Sequence, residues 1–261
     1  MPPVYIPDVR PLPALRLPAR RRVAGLSCSF LALLLAACSS LPAKLPAHAG
    51  PPRVPQQVSS VEWEQDMRRF AEADALAPPP RDAVLFTGSS SIRLWETLAA
   101  DFPGVPVVNR GFGGSEIRDS TWYADRLVVR HAPRQVILYA GDNDLSSGRS
   151  PARLRADFRA FVARIRQDLP DVPIAYLSTK PSPARAHLLQ AQRKANALIR
   201  RDAGPLRVQF IDVFTPMLDA AGQPRRALFV EDGLHMNAAG YRLWQGIVAP
   251  HLLHEPAVTH P

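Results

Sequence analysis

Residues 83–95 read Ala83-Val84-Leu85-Phe86-Thr87-Gly88-Ser89-Ser90-Ser91-Ile92-Arg93-Leu94-Trp95. Four apolar residues, Ala83 to Phe86, stop at Gly88; three serines come next, and from Ile92 the apolar spacing turns helical. Buried strand, tight turn and helix lift a hydroxyl out of the backbone, so one of Ser89, Ser90 and Ser91 is a candidate nucleophile. A plain glycine-serine turn with a serine helix cap has the same local composition. The residues downstream of Trp95 separate the two.

There the pattern alternates. Short apolar runs at 83–87, 106–109, 135–140, 173–178 and 207–211 predict strands, and helix-like runs at 92–101, 117–131, 151–168, 184–202 and 237–253 fill the gaps. An amphipathic helix over 60–77 precedes them, with Trp63, Met67, Phe70, Ala71 and Leu76 on one side, and Pro78-Pro79-Pro80 ends it. Five short apolar strands separated by helices predict a parallel sheet covered on both faces, a single α/β domain in three layers. No internal repeat or second domain is visible.

In open parallel sheets the ligand crevice lies beyond the carboxyl ends of the strands. Those ends carry Gly88-Ser89-Ser90-Ser91, then Asn109-Arg110-Gly111-Phe112-Gly113-Gly114, then Gly141-Asp142-Asn143-Asp144, and later Asp232-Gly233-Leu234-His235. A dinucleotide loop built on Gly111 and Gly113 would need glycine at 116, where Glu116 stands. A calcium loop opened by Asp142 lacks its glycine at the sixth place and its closing glutamate. His251 and His254 sit three apart without a metal-binding pattern such as H-E-x-x-H, and His48, His131 and His187 have no supporting motif, so no metal is expected. Asp232 and His235 differ: a carboxylate three residues from an imidazole can fix its tautomer and stabilise the imidazolium.

Taken together, the four strand-end blocks resemble the SGNH hydrolases, the GDSL esterase/lipase family, over about residues 81–250. The resemblance implies a flavodoxin-like SGNH hydrolase fold and a serine esterase acting on carboxylic esters with short acyl or O-acetyl groups. It implies Ser90 as nucleophile, His235 as general base and Asp232 as its orienting acid, with no cofactor. The backbone N–H groups of Ser90 and Gly114 and the Asn143 side-chain amide match the family's oxyanion donors. The family's first block usually reads Gly-Asp-Ser; here Ser89 occupies the middle place, and Trp95 matches a tryptophan often found five residues beyond the serine. Two rival readings keep the same fold: an envelope acyltransferase using the same triad, and a catalytically silent, lipid-tethered glycan-binding protein.

The formal charge of +9 resembles a nucleic-acid footprint, but residues 1–37 hold five arginines against one acid, leaving +5 for the rest. The remaining basic residues are scattered without aromatic interleaving, so a nucleic-acid partner is not expected. Arg20-Arg21-Arg22 precede an apolar run from Val23 to Ala37 that suits a signal-peptide core better than a membrane span. Leu35-Ala36-Ala37-Cys38 resembles the lipobox of bacterial lipoproteins, whose cysteine is acylated, and Ser39 resembles the outer-membrane sorting pattern. The expected organisation is a signal peptide over 1–37, a Pro/Ala/Gln-rich tether over 38–59, the esterase domain over 60–255 and a tail over 256–261, with the body facing the periplasm. Beyond Cys28 and Cys38 the chain has no cysteine, which excludes a thiol nucleophile or a disulfide within the body.

The family's substrates include lipid esters, acyl thioesters and sugar O-acetyl groups. Short connections after the first three strands favour small or surface-accessible acyl groups. Trp95, Phe112 and Tyr139 are core candidates before they are acyl-pocket candidates, and Lys180 to Arg185 are expected to offer cationic contacts at the rim.

Overall fold

The computed structural model describes residues 58–254; the expected signal peptide, Cys38, most of the tether and the C-terminal tail lie outside the described residues. Five parallel strands form one sheet in the order β2-β1-β3-β4-β5: β1 (Val84–Gly88), β2 (Val107–Gly111), β3 (Gln135–Tyr139), β4 (Ile174–Leu177) and β5 (Val208–Ile211). This is the flavodoxin-like order, whose switch point lies between β1 and β3. Alternation along the strands splits the core in two. Leu85, Val136 and Leu138 face one layer, while Val84, Phe86, Ile137 and Tyr139 face the other. The first layer is closed by α1 (Trp63–Leu76), α4 (Ile117–Trp122), α5 (Ala124–Leu127), α6 (Asp142–Ser146), α7 (Pro151–Asp168) and α8 (Leu189–Ala203). The second is closed by α2 (Ser90–Arg93), α3 (Leu98–Asp101) and α9 (Ala238–Val248).

All five expected strands are present, but several helical spans need correction. The run expected over 92–101 is two one-turn helices, because Trp95 turns into the core against Phe86, Phe102 and Trp244 while its Nε1 donates to Asp101 Oδ2 at 2.6 Å. The span 117–131 is α4, α5 and a 3₁₀ turn at Val129–His131; the N–H of Tyr123 reaches both Asp119 and Thr121, which tightens the chain between the first two. The span 184–202 opens as a 3₁₀ segment, Pro183–Leu188, in which Arg185 is non-helical (φ −120°, ψ 27°), before α8 begins. The last helix stops at Val248, ahead of Pro250.

On α1, Met67 is buried with Trp63 and Phe70 packed beside it, whereas Ala71 is exposed and Leu76 is 88% exposed; the apolar stripe stops short of the helix end. The body also begins earlier than the expected tether boundary. Val58 is buried, and Ser59 donates to Asp119 from its N–H and its Oγ, both at 2.6 Å. These residues belong to the packed body. Trp95, Phe112 and Tyr139 are all buried core residues.

Candidate active site

β1 and β3 are hydrogen-bonded neighbours, with Gly88 opposite Tyr139. Gly88 has φ +127°, a region that side chains rarely adopt, and a Cβ there would overlap the Tyr139 carbonyl. Directly beyond it the chain enters α2, which places Ser90 at the helix start. Of the three serines, Ser90 alone brings its hydroxyl to His235: Oγ and Nε2 are 3.2 Å apart. Ser89 is buried, and its Oγ has no hydrogen-bond partner among the described residues. Ser91 is buried too, and its carbonyl accepts from Tyr241.

The loop carrying the imidazole is a compact turn. The Val230 N–H donates to the His235 carbonyl at 2.9 Å, and Phe229 bridges to Met236. Within it, Asp232 Oδ1 accepts the N–H groups of Leu234 (2.7 Å) and His235 (2.9 Å), while Oδ2 stands 2.6 Å from His235 Nδ1. Desolvation alone would raise the Asp232 carboxyl. The two backbone donors and the imidazole outweigh it and bring the group down to about 2. With Asp232 ionised, the tautomer that carries its proton on Nδ1 donates to Oδ2 and presents a bare Nε2 to Ser90 Oγ.

Asn143 follows Gly141, which also has φ +127° and whose Cβ would fall 2.5 Å from Thr179 Oγ1. Its Nδ2 donates to the Ser115 carbonyl at 3.0 Å, and its Oδ1 accepts from Arg185 Nη2 at 2.9 Å. Gly114 lies on the same rim beside Trp63. Among the described residues, neither the Ser90 nor the Gly114 backbone N–H is used in a hydrogen bond of the turns. Ser90, Gly114, Asn143 and His235 line one open cleft of about 650 Å³. His235 also lines a neighbouring cleft of about 710 Å³ with Leu94, Met236 and Tyr241. The four sequence blocks thus meet on one rim.

Other residues at this rim carry no motif. Asp66 and Arg69, paired with each other on α1, and Arg93 on α2 line the same cleft, so the first helix supplies one of its walls. The rim expectation for Lys180 is wrong. Lys180 is only 1% exposed, donating from Nζ to the Leu234 carbonyl at 2.9 Å and standing 3.5 Å from Asp142 Oδ2. Burial pulls its ammonium down and the Asp142 charge opposes that shift. Arg185 does reach the cleft, but its guanidinium is committed to Asp142 and Asn143. A signal for the Lys180–Asp142 pair is present in the chain: each lies three residues past the end of adjacent strands, and the register sets Leu138 opposite Tyr176. Opposite charges at equal offsets past paired strands are placed to meet. Among the described residues, no group of three or more His, Cys, Asp or Glu side chains could hold a metal ion.

Comparison with solved structures returns the same architecture. A protein from Streptococcus pneumonia, provisionally described as a platelet activating factor, is 22% identical with a TM-score of 0.65, covering 74% of this chain and 93% of its own. A GDSL-like lipase from Bacteroides thetaiotaomicron is 19% identical with a TM-score of 0.61, covering 71% and 96%. A catalytic mutant of an acetylxylan esterase from Geobacillus stearothermophilus is 15% identical with a TM-score of 0.55, covering 66% and 94%. No curated protein gives a significant sequence match. The model of the GDSL-like lipase/acylhydrolase family matches residues 86–243, from β1 to the middle of α9, and the chain belongs to that family of carboxylic ester hydrolases.

Proposed function

We propose that the chain is a serine esterase that hydrolyses carboxylic esters with short acyl or O-acetyl groups. One observation carries this reading: a continuous hydrogen-bonded line runs from Ser90 Oγ to His235 Nε2 (3.2 Å) and from His235 Nδ1 to Asp232 Oδ2 (2.6 Å), at the edge of an open cleft. Ser90 Oγ attacks the ester carbonyl while His235 Nε2 takes its proton. The carbonyl π-electrons move onto oxygen, and the Ser90 N–H, Gly114 N–H and Asn143 Nδ2 stabilise that oxyanion. Collapse expels the alcohol, which receives the proton from His235, and leaves an acyl group on Ser90. Water, deprotonated by the same imidazole, attacks the acyl group; the bond to Ser90 Oγ breaks, Oγ takes the proton back from His235, and the acid is released.

The preference for small acyl groups is supported by a cleft walled largely by polar groups, Asp66, Arg69, Arg93 and Arg185. Similarity of fold to an acetylxylan esterase points the same way. A panel of esters of increasing acyl length, with O-acetylated glycans alongside, tests this against Ser90→Ala. Acetyl esters should turn over fastest, and Ser90→Ala should lose roughly 10^4 or more in kcat, as serine triads do. Wild-type turnover surviving in Ser90→Ala would refute the nucleophile. We further propose that Cys38 tethers the enzyme to the envelope. Radiolabelled palmitate should enter the wild-type protein in a bacterial host and not Cys38→Ser; equal labelling would end that proposal.

A further inference from the structure

We propose that Arg185 is a positioning residue of the oxyanion pocket, orienting and polarising the Asn143 amide, and that the buried Asp142–Lys180 pair holds it in place. This rests on the reading of Asn143 as an oxyanion donor.

A guanidinium can only donate hydrogen bonds, and the Ser115 carbonyl can only accept them. Arg185 Nη2 lies 2.9 Å from Asn143 Oδ1, and Ser115 O lies 3.0 Å from Nδ2. A flipped amide would set its NH₂ against the guanidinium and its oxygen against a carbonyl, two repulsive contacts in place of two bonds. One orientation is therefore enforced. In it, one Nδ2 hydrogen is held by Ser115 and the second is free for the cleft that Asn143 lines with Ser90 and Gly114. The charged donor on Oδ1 also draws electron density from the amide. Linked hydrogen bonds strengthen one another by roughly 10–30% each, so Nδ2 becomes a better donor when negative charge appears in front of it.

Arg185 is itself fixed. Its Nη1 donates to Asp142 Oδ2 at 2.8 Å, and Lys180 Nζ stands 3.5 Å from the same oxygen. Lys180 then reaches the Leu234 carbonyl at 2.9 Å, next to His235, and the Ala184 N–H donates to the Gly233 carbonyl at 3.0 Å. The segment 180–185 thus straps the oxyanion side of the cleft to the loop that carries the base. The break in helical geometry at Arg185 (φ −120°, ψ 27°) falls in this strap.

The test is a double-mutant cycle with Arg185→Ala and Asn143→Ala, reading kcat and KM on an acetyl ester. Asn143→Ala should lower kcat by about 10^2 to 10^3, the usual loss of one oxyanion donor. Arg185→Ala should lower kcat by about 10 to 100 with KM changed less than about threefold. In the Asn143→Ala background its further effect should be under about threefold. Equal losses in both backgrounds would overturn the proposal. So would a raised KM at constant kcat, which would put Arg185 on the substrate. Wild-type kcat in Asn143→Ala would instead sink the oxyanion reading itself. Should Arg185→Ala fail to fold, Arg185→Lys keeps a charge beside Asp142 but lacks the two-armed fork. It should show the same kcat loss and the same dependence on Asn143, and wild-type kcat in Arg185→Lys would overturn the proposal.

Discussion

The ends of β1 and β3 are the same turn built twice. Each passes through a glycine at φ +127° (Gly88 and Gly141), then a buried residue (Ser89 and Asp142), then a residue that faces the cleft (Ser90 and Asn143). Each leads straight into a short helix, α2 or α6. The backbone therefore delivers two side chains side by side at the switch point of the sheet. Their neighbours give them different work. Ser90 meets an imidazole, and Asn143 meets a guanidinium and a carbonyl.

The middle residues differ more. Asp142 is a buried carboxylate met by Arg185 and Lys180, while Ser89 is neutral and its hydroxyl has no partner among the described residues. A buried charge persists where opposite charges come with it, and the β3 turn has them because Lys180 lies just beyond the end of β4. Two substitutions sharpen this contrast. Asp142→Ala leaves Lys180 buried without its counter-charge and should cost about 3–5 kcal/mol in urea unfolding. Ser89→Ala removes an unsatisfied hydroxyl and should hold stability or raise it by up to about 1 kcal/mol. Equal destabilisation by both would break the distinction between the turns.

The sheet is legible in the sequence because four of its strands are short, mostly apolar runs, and β2, which carries Asn109 and Arg110, still opens on Val107-Val108. Ser90, Asn143, Asp232 and His235 are legible because each sits in a short local block. Asp232 and His235 are only three apart, so their contact needs no tertiary information. Arg185 and Lys180 read as rim cations in sequence because their partner Asp142 is 43 and 38 positions away and meets them only through strand register. The wall supplied by α1 is hidden for a similar reason. Its docking depends on Ser59 reaching Asp119 and on Trp63 packing edge-on to Phe112 at 5.6 Å, neither of which has a local signature.

Asp232, the carboxylate in contact with the His235 imidazole, gives a smaller effect that depends on pH. The folded Asp232 carboxyl titrates near 2 against an ordinary 3.8, so folding favours its ionised form. That contribution is whole above the ordinary value and is lost as pH falls toward the folded one. The stability difference between wild type and Asp232→Asn should shrink as pH falls from about 5 through 3.8 toward 2. A gap that widens on acidification would contradict the assignment.

Of three adjacent serines, we assign the one at position 90 as the nucleophile. Labelling with a serine-directed phosphonate and peptide mass spectrometry of the adduct test it most directly. One adduct is expected, on Ser90, and it should vanish in Ser90→Ala and in His235→Ala. An adduct on Ser89 or Ser91, or labelling unchanged in Ser90→Ala, would overturn the assignment of Ser90.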